Sequence, residues 1–287
     1  MHGAAAEFET LGTLDYSLLP EASGLAVSTR DPQRLWFVND SGNDDELISL
    51  DLGKFKFSRV EVKKAKNRDW EDLESFLVDG ESWLMIADVG DNAAKRNDVT
   101  VYLLKEPDTD DDKVRTHTRI DISYPEGARD VESVAVDPVT QFLYLLSKRE
   151  PSPRLYRVPL EGYFTGKKGE KHNVEAEFLG EVGSIPAPSA EEKRAFRKYG
   201  AFRHQPTGMA FLANSSTIAV MTYRGAYVAK LNADRDWLDA LNQRLCAIHT
   251  PALAQGETIA ADSRERLYVS SEGRRAPLIR LPARCTP

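Results

Sequence analysis

Apolar residues along this chain fall in short runs broken by Gly, Pro, Asn and Asp, a pattern that predicts strands and turns rather than long helices. The clearest example is Asp130-Val-Glu-Ser-Val-Ala-Val-Asp-Pro138, followed by the runs 141–148 and 154–160. It reads as three strands, the first closed by an Asp-Pro turn. The same paragraph of sequence is written five times, with copies starting near Glu21, Asp69, Asp130, Gln205 and Gln255. Second strands follow at Leu35, Leu84, Leu143, Ile218 and Leu267, and third strands end at Leu50, Leu104, Leu160, Leu231 and Leu281. A column of Leu25, Leu73, Val134, Met209 and Ile259 marks the middle of each first strand.

Starts lie roughly 50 to 75 residues apart, and a unit of three or four strands cannot bury both its faces alone. The units must therefore stack, and closing them into a ring leaves only short, protected edges. The pattern predicts an all-β fold, a single β-propeller domain over residues 1–287 with five blades. Six is the alternative, because the third and fourth starts are far apart. Outer strands are expected at 57–62, 114–123, 174–182 and 244–249. The last repeat has none after Leu281, so the unpartnered stretch 8–14 is expected to close the ring as the outer strand of blade five. Two short helices are expected, one over 190–199 as a partial lid on the ring and one over 234–243 capped by Asp234.

Charge narrows the choice of partners. The net charge of -7 disfavours nucleic acid, since no Lys/Arg stripe is available to displace phosphate counterions. No apolar run reaches the roughly 18 residues of a membrane helix. The start Met1-His-Gly-Ala-Ala-Ala-Glu7 lacks a basic and an apolar signal region, and reads either as the scar of a removed signal peptide or as a native cytoplasmic start. Cys246 and Cys285 match no metal motif; they are either a disulfide that pins the C-terminal tail or two separate thiols. A monomer is the expected state.

Three columns of the repeat carry candidate chemistry. Two positions before the apolar marker stand Ser23, Glu71, Glu132, Thr207 and Glu257, and four before it stand Glu21, Asp69, Asp130, Gln205 and Gln255. Innermost strands line the tunnel of a propeller, so these columns are expected to form two polar layers near its mouth. Several carboxylates in one layer resist joint ionisation, and a hard cation, Ca²⁺ or Mg²⁺, would relieve them. Glu71, Glu132, Glu257, Glu21, Asp69 and Asp130 are the candidate metal ligands. The competing reading makes the same acids hydrogen-bonded ties between blades.

After the second strand comes a third column, Asn39, Asp88, Ser147, Thr222 and Ser271. The residues that follow are Asp40, Val89, Lys148, Tyr223 and Glu272, then Ser41, Gly90, Arg149, Arg224 and Gly273. Lys148, Arg149 and Arg224 would thus face the carboxylates, either to receive an anion or to form a salt-bridge network. His204 is the one histidine placed as a candidate acid-base group. There is no G-x-S-x-G elbow and no phosphate-binding glycine loop.

The phrases Glu21-Ala-Ser-Gly-Leu, Val38-Asn-Asp-Ser-Gly42, Asp69-Trp-Glu-Asp72, Asp88-Val-Gly-Asp-Asn92, Asp130-Val-Glu132 and Gln255-Gly-Glu257 resemble those of a largely uncharacterised family of bacterial β-propellers. More distantly the pattern is similar to phytase-like or esterase-like propellers and to calcium-dependent lactonase propellers. The resemblance covers nearly the whole chain and implies a periplasmic or secreted protein, with a cytoplasmic one as the alternative. It implies calcium but transfers no residue role. Two functional classes stand: a binding or scaffolding propeller presenting its mouth to a small polar or anionic ligand or a protein partner, and a divalent-metal-dependent hydrolase of phosphoesters or lactones.

Overall fold

The computed structural model describes residues 8–196 and 200–283. The chain opens on β1 (Glu9–Thr13), and blade one follows as β2 (Ala22–Val27), β3 (Arg34–Asn39), β4 (Glu46–Asp51) and β5 (Lys56–Lys63). Blade two begins with β6 (Asp72–Val78), β7 (Glu81–Asp88) and β8 (Val99–Lys105). The short β9 (Lys113–Arg115) then turns back to pair in parallel with β5, and β10 (Thr118–Ser123) returns to blade two. Blade three is β11 (Val131–Asp137), β12 (Phe142–Ser147) and β13 (Arg154–Pro159). Next, β14 (Glu170–Glu175) joins blade two in parallel, and β15 (Glu177–Glu181) completes blade three.

The helix α1 (Ala190–Ala195) precedes blade four, which is β16 (Pro206–Leu212), β17 (Thr217–Thr222), β18 (Gly225–Lys230), α2 (Trp237–Asn242) and β19 (Cys246–Ala247). Blade five is β20 (Gly256–Ala261), β21 (Arg266–Ser271) and β22 (Pro277–Pro282), with β1 pairing antiparallel to β22 as its outer strand. Among the described residues the strands thus form five sheets in a five-bladed propeller closed by its own N-terminal strand.

Each blade is sandwiched between two others, so the inner strands carry apolar residues on both faces. In β3, Leu35 and Phe37 pack toward blade five while Trp36 and Val38 pack toward blade two. The core is accordingly five wedges, one between each pair of neighbouring blades. All four tryptophans are at most 1% exposed within these wedges, each worth about 1.5–3 kcal/mol of apolar burial.

The expected outer strands prove more divided than the apolar runs suggest. The run 114–123 splits between blades one and two, and 174–182 splits between blades two and three. In both cases one piece adds a fifth strand in parallel to the preceding blade. Such strands cover an otherwise open sheet edge, which single-strand patterning cannot foresee. The helix expected over 234–243 starts later, capped by Asp236 rather than Asp234, because the Asp236 carboxylate is the one that accepts from Asp239 N at 2.9 Å. The helix over 190–199 is a six-residue turn behind a Ser189/Glu192 capping box, with 197–199 outside the described residues. Residues 1–7 and Cys285 also lie outside them, and with Cys285 the question of its pairing to Cys246.

Candidate functional site

The five first strands are innermost in their sheets and neighbours around the ring. In blades one, three, four and five the register slips where each meets its second strand: between Ala22 and Gly24, Val131 and Ser133, Pro206 and Gly208, and Gly256 and Thr258. In blade two, Ala87 both pairs with Asp72 and accepts from Glu71 N at 2.9 Å, so two residues face one there as well. The extra residues are Ser23, Glu71, Glu132, Thr207 and Glu257, the column two before the apolar marker. A bulge re-aims the side chain it carries. Ser23, Glu71, Glu132 and Glu257 line a cavity of about 170 Å³ at the mouth, whereas Thr207 donates to Gly256 O at 2.8 Å.

A second ring completes the cavity. The residue after a second strand is held over the first strand by its own backbone: Asp40 N to Glu21 O at 2.9 Å, Lys148 N to Asp130 O at 3.0 Å, and Glu272 N to Gln255 O at 3.2 Å. Asp40, Lys148 and Glu272 therefore turn their side chains into the cavity, which Tyr223, Glu21, Gln255, Asn92 and Arg149 also line. The preceding column serves the backbone instead. Asn39 accepts from Glu21 N at 3.2 Å, Asp88 from Asp69 N at 3.2 Å, and Ser271 from Gln255 N at 3.0 Å.

Charge divides the mouth into two corners. On the side of blades three to five, Lys148, 4% exposed, donates to Glu132 and to Tyr223 Oη at 2.8 Å, and its ammonium lies 4.9 Å from the Tyr223 ring centroid. Burial alone would lower the Lys148 pKa, but Glu132 and Glu257 hold it above its ordinary value. Burial lifts Glu132 to about 7 against the pull of Lys148. Burial also raises Glu257, whose Oε1 accepts from Gln255 Nε2 at 2.8 Å.

Between blades one and two, a ligand oxygen from each of Asp40, Asp69 and Glu71 lies within 4.8 Å of the other two. Glu71 is 5% exposed, and its Oε1 has no hydrogen-bond partner. Burial, then Glu132 and Asp40, raises its pKa well above the ordinary value. Burial lifts Asp40 to about 6 against the Ser41 N–H, with Asp69 and Glu21 adding to the rise. Glu272 is lifted to about 7 by burial, Asp40 and Glu21. Among the described residues no Lys or Arg forms an ion pair with Glu21, Asp40, Asp69, Glu71, Glu257 or Glu272.

Of the remaining candidates, Arg149 lines the cavity, whereas Asp130, Arg224 and His204 do not. Asp130 accepts from Asp91 N at 2.8 Å and pairs with Arg149, which also donates to Asn92, so it ties the 88–97 loop to blade three. Arg224 is engaged by Glu192 at 2.7 Å and Pro186 O at 2.7 Å, and fastens the 185–196 insertion to blade four. His204, its pKa lowered by burial, Arg224 and Lys193, is not among the cavity-lining residues.

One residue of the centre had no place in the columns. Asp72, fully buried, accepts from Leu73 N at 2.9 Å, from Val134 N of blade three at 2.9 Å and from Met209 N of blade four at 3.3 Å. It supplies acceptors across the tunnel to inner strand edges that have no further strand to pair with. The signal for it, and for the bulges, is the column Gly24, Asp72, Ser133, Gly208 and Thr258, which lacks any large apolar residue. At Gly24 a Cβ would lie 2.7 Å from the Asp72 backbone, so the inner strands meet too closely for a side chain.

The Asp40–Asp69–Glu71 corner fits a divalent ion. Its donors are all oxygens, one of them buried and unpartnered, which suits Ca²⁺ or Mg²⁺ rather than Zn²⁺. Gly90 packs against it so tightly that a Cβ there would lie 2.3 Å from Glu71 Oε1 and 2.6 Å from Asp69 Cγ.

No family model matches the chain, and no curated protein matches it by sequence. Among solved structures it is similar to a luciferin-regenerating enzyme at 11% identity, over 97% of this chain and 96% of that one, with a TM-score of 0.50. It is similar also to a gluconolactonase from Xanthomonas campestris (13% identity, 96% and 89% covered, TM-score 0.48). A third is a calcium-binding protein, regucalcin, from Agrobacterium tumefaciens (15% identity, 99% and 98% covered, TM-score 0.47). At 11% identity the first of these likenesses speaks for the fold alone and leaves the chemistry to the mouth itself. No helix among the described residues is long and apolar enough to cross a membrane.

Proposed function

We propose that the chain is a cation-dependent binding propeller, with one Ca²⁺ or Mg²⁺ held by Asp40, Asp69 and Glu71 and a small polar ligand or a protein segment received at the same mouth. The observation that carries this reading is the buried, unpartnered Glu71 Oε1 facing two further carboxylates with no basic partner. Such an ion would neutralise the corner and offer remaining coordination positions to oxygens of the ligand. Glu21 and Gln255 on the rim supply further acceptor and donor groups. The acid excess disfavours an anionic ligand unless the ion is in place. A corner of three carboxylates suits an environment rich in Ca²⁺, so a periplasmic or secreted location belongs to the same proposal.

The hydrolase reading keeps one specific support. Glu132, lifted to about 7 and oriented by the Lys148 ammonium in the same cavity, is poised to accept a proton near neutral pH. A screen of phosphoesters and lactones with Ca²⁺ present, without turnover above a Glu132→Gln control, would remove that reading and leave the binding one.

The direct test is elemental analysis and calorimetric titration of wild type and Gly90→Ala, with melts in EDTA and in Ca²⁺ or Mg²⁺. One stoichiometric ion that raises the Tm is expected. Gly90→Ala should bind at least about tenfold more weakly, because its methyl displaces two of the three ligands. A wild-type protein that takes up no ion and melts identically in EDTA and Ca²⁺ would refute the proposal.

A further inference from the structure

The five junctions of the ring place equivalent residues together: the residue after one blade's second strand, with the two polar columns of the next blade. Junction by junction these sets read Asp40, Asp69, Glu71; Val89, Asp130, Glu132; Lys148, Gln205, Thr207; Tyr223, Gln255, Glu257; and Glu272, Glu21, Ser23. The Lys148 ammonium leaves its own junction, where Gln205 and Thr207 offer no negative charge. It lies instead against Glu132 and Tyr223, close enough to Glu257 for that carboxylate to raise its pKa. Glu132, Glu257 and Lys148 are at most 5% exposed, so this is a dry position in which a cation is already held by the Glu132 carboxylate and the Tyr223 phenol, with Glu257 lining the same cavity.

We infer that Lys148 is a built-in cation that fills a second cation position of the mouth, bounded by Glu132, Glu257 and Tyr223, and so limits the ring to one exchangeable divalent ion. The inference rests on the reading of the Asp40–Asp69–Glu71 corner only for the number of ions in the wild type. The ligand class of the second position is a hard divalent cation, since its donors are carboxylate and phenol oxygens. The role fits the chemistry of lysine: an ammonium on a flexible stem reaches across a blade, carries its charge permanently in an acidic pocket, and cannot be washed out.

The experiment compares wild type, Lys148→Met and Lys148→Met/Glu132→Gln by equilibrium dialysis against Ca²⁺, with bound metal counted and each variant's melt recorded with and without the ion. Lys148→Met is expected to bind one more equivalent of Ca²⁺ than wild type and to gain a larger Tm rise from it. Adding Glu132→Gln should abolish the extra equivalent. If Lys148→Met folds only in Ca²⁺ while the double variant folds without it, the same conclusion holds. A folded Lys148→Met with wild-type stoichiometry would overturn the inference, as would an extra ion that survives Glu132→Gln, or a Lys148→Met that fails to fold even in Ca²⁺ while the double variant folds. The two proposals fail separately. Wild type with no ion and Lys148→Met with one would sink the corner between blades one and two but keep the built-in cation; one ion in each would do the reverse.

Discussion

The two corners of the mouth are made from equivalent positions of the same repeat, yet they have opposite electrostatic fates. In one, Glu132 is paired with the Lys148 ammonium in a cavity that Glu257 also lines; in the other, Glu71 faces Asp40 and Asp69 with no ion-pair partner. The difference lies in a single column, where blade one carries Asp40 and blade three carries Lys148. A fivefold repeat thus multiplies positions while leaving each corner free to take its own charge. In one corner the chain supplies its own countercharge; in the other it does not.

The comparison breaks most sharply at Lys148. In EDTA at about pH 8, Lys148→Met should destabilise the fold by about 3–5 kcal/mol in urea unfolding, because the buried Glu132 carboxylate loses its counter-ion. A loss below about 1 kcal/mol would mean the pair is not buried as described. Next, the same substitution in the two corners should act with opposite sign. Glu132→Gln should destabilise by about 1–3 kcal/mol by depriving a buried ammonium of its acceptor. Glu71→Gln should instead leave stability in EDTA unchanged or raise it by about 1 kcal/mol, since it removes a charge that burial and Glu132 oppose. Equal losses at both sites would erase the contrast.

The pH dependence without metal follows from the same acids. Asp40, lifted to about 6, and Glu132 and Glu272, each lifted to about 7, bind protons more tightly folded than unfolded. Their contribution is fully present below the unfolded values near 4 and is lost as pH rises through 6 to 7. The Tm in EDTA should therefore fall as the pH is raised from about 5 to about 8. Saturating Ca²⁺ should flatten that slope. A Tm in EDTA that rises over this window would contradict the raised values.

Much of the architecture was legible because each element obeys a local rule. The apolar marker Leu25, Leu73, Val134, Met209 and Ile259 identifies the inner strands, and the missing strand after Leu281 matches the spare one at the N-terminus. The four glutamates of the polar columns, Glu21, Glu71, Glu132 and Glu257, come to one cavity with Lys148. Asp40 and Glu272 stood in a readable column, but nothing local showed that a backbone bond back to the first strand would turn them inward. Arg224 was equally readable as a mouth cation, yet Glu192, far along the chain in the insertion, claims it.

By itself the sequence determined the bladed repeat, with five blades favoured over six, the ring closure and the rows of polar positions, because strand period, turn residues and repeat spacing are properties of contiguous residues. Only the tertiary structure decided which carboxylates share a countercharge. That depends on the one-residue bulges that re-aim Ser23, Glu132, Thr207 and Glu257, on the reach of Lys148 across a blade, and on Asp72 drawing three blades together from the tunnel. Charge pairing falls off over a few ångströms in space, and the partners here are separated by tens of residues along the chain.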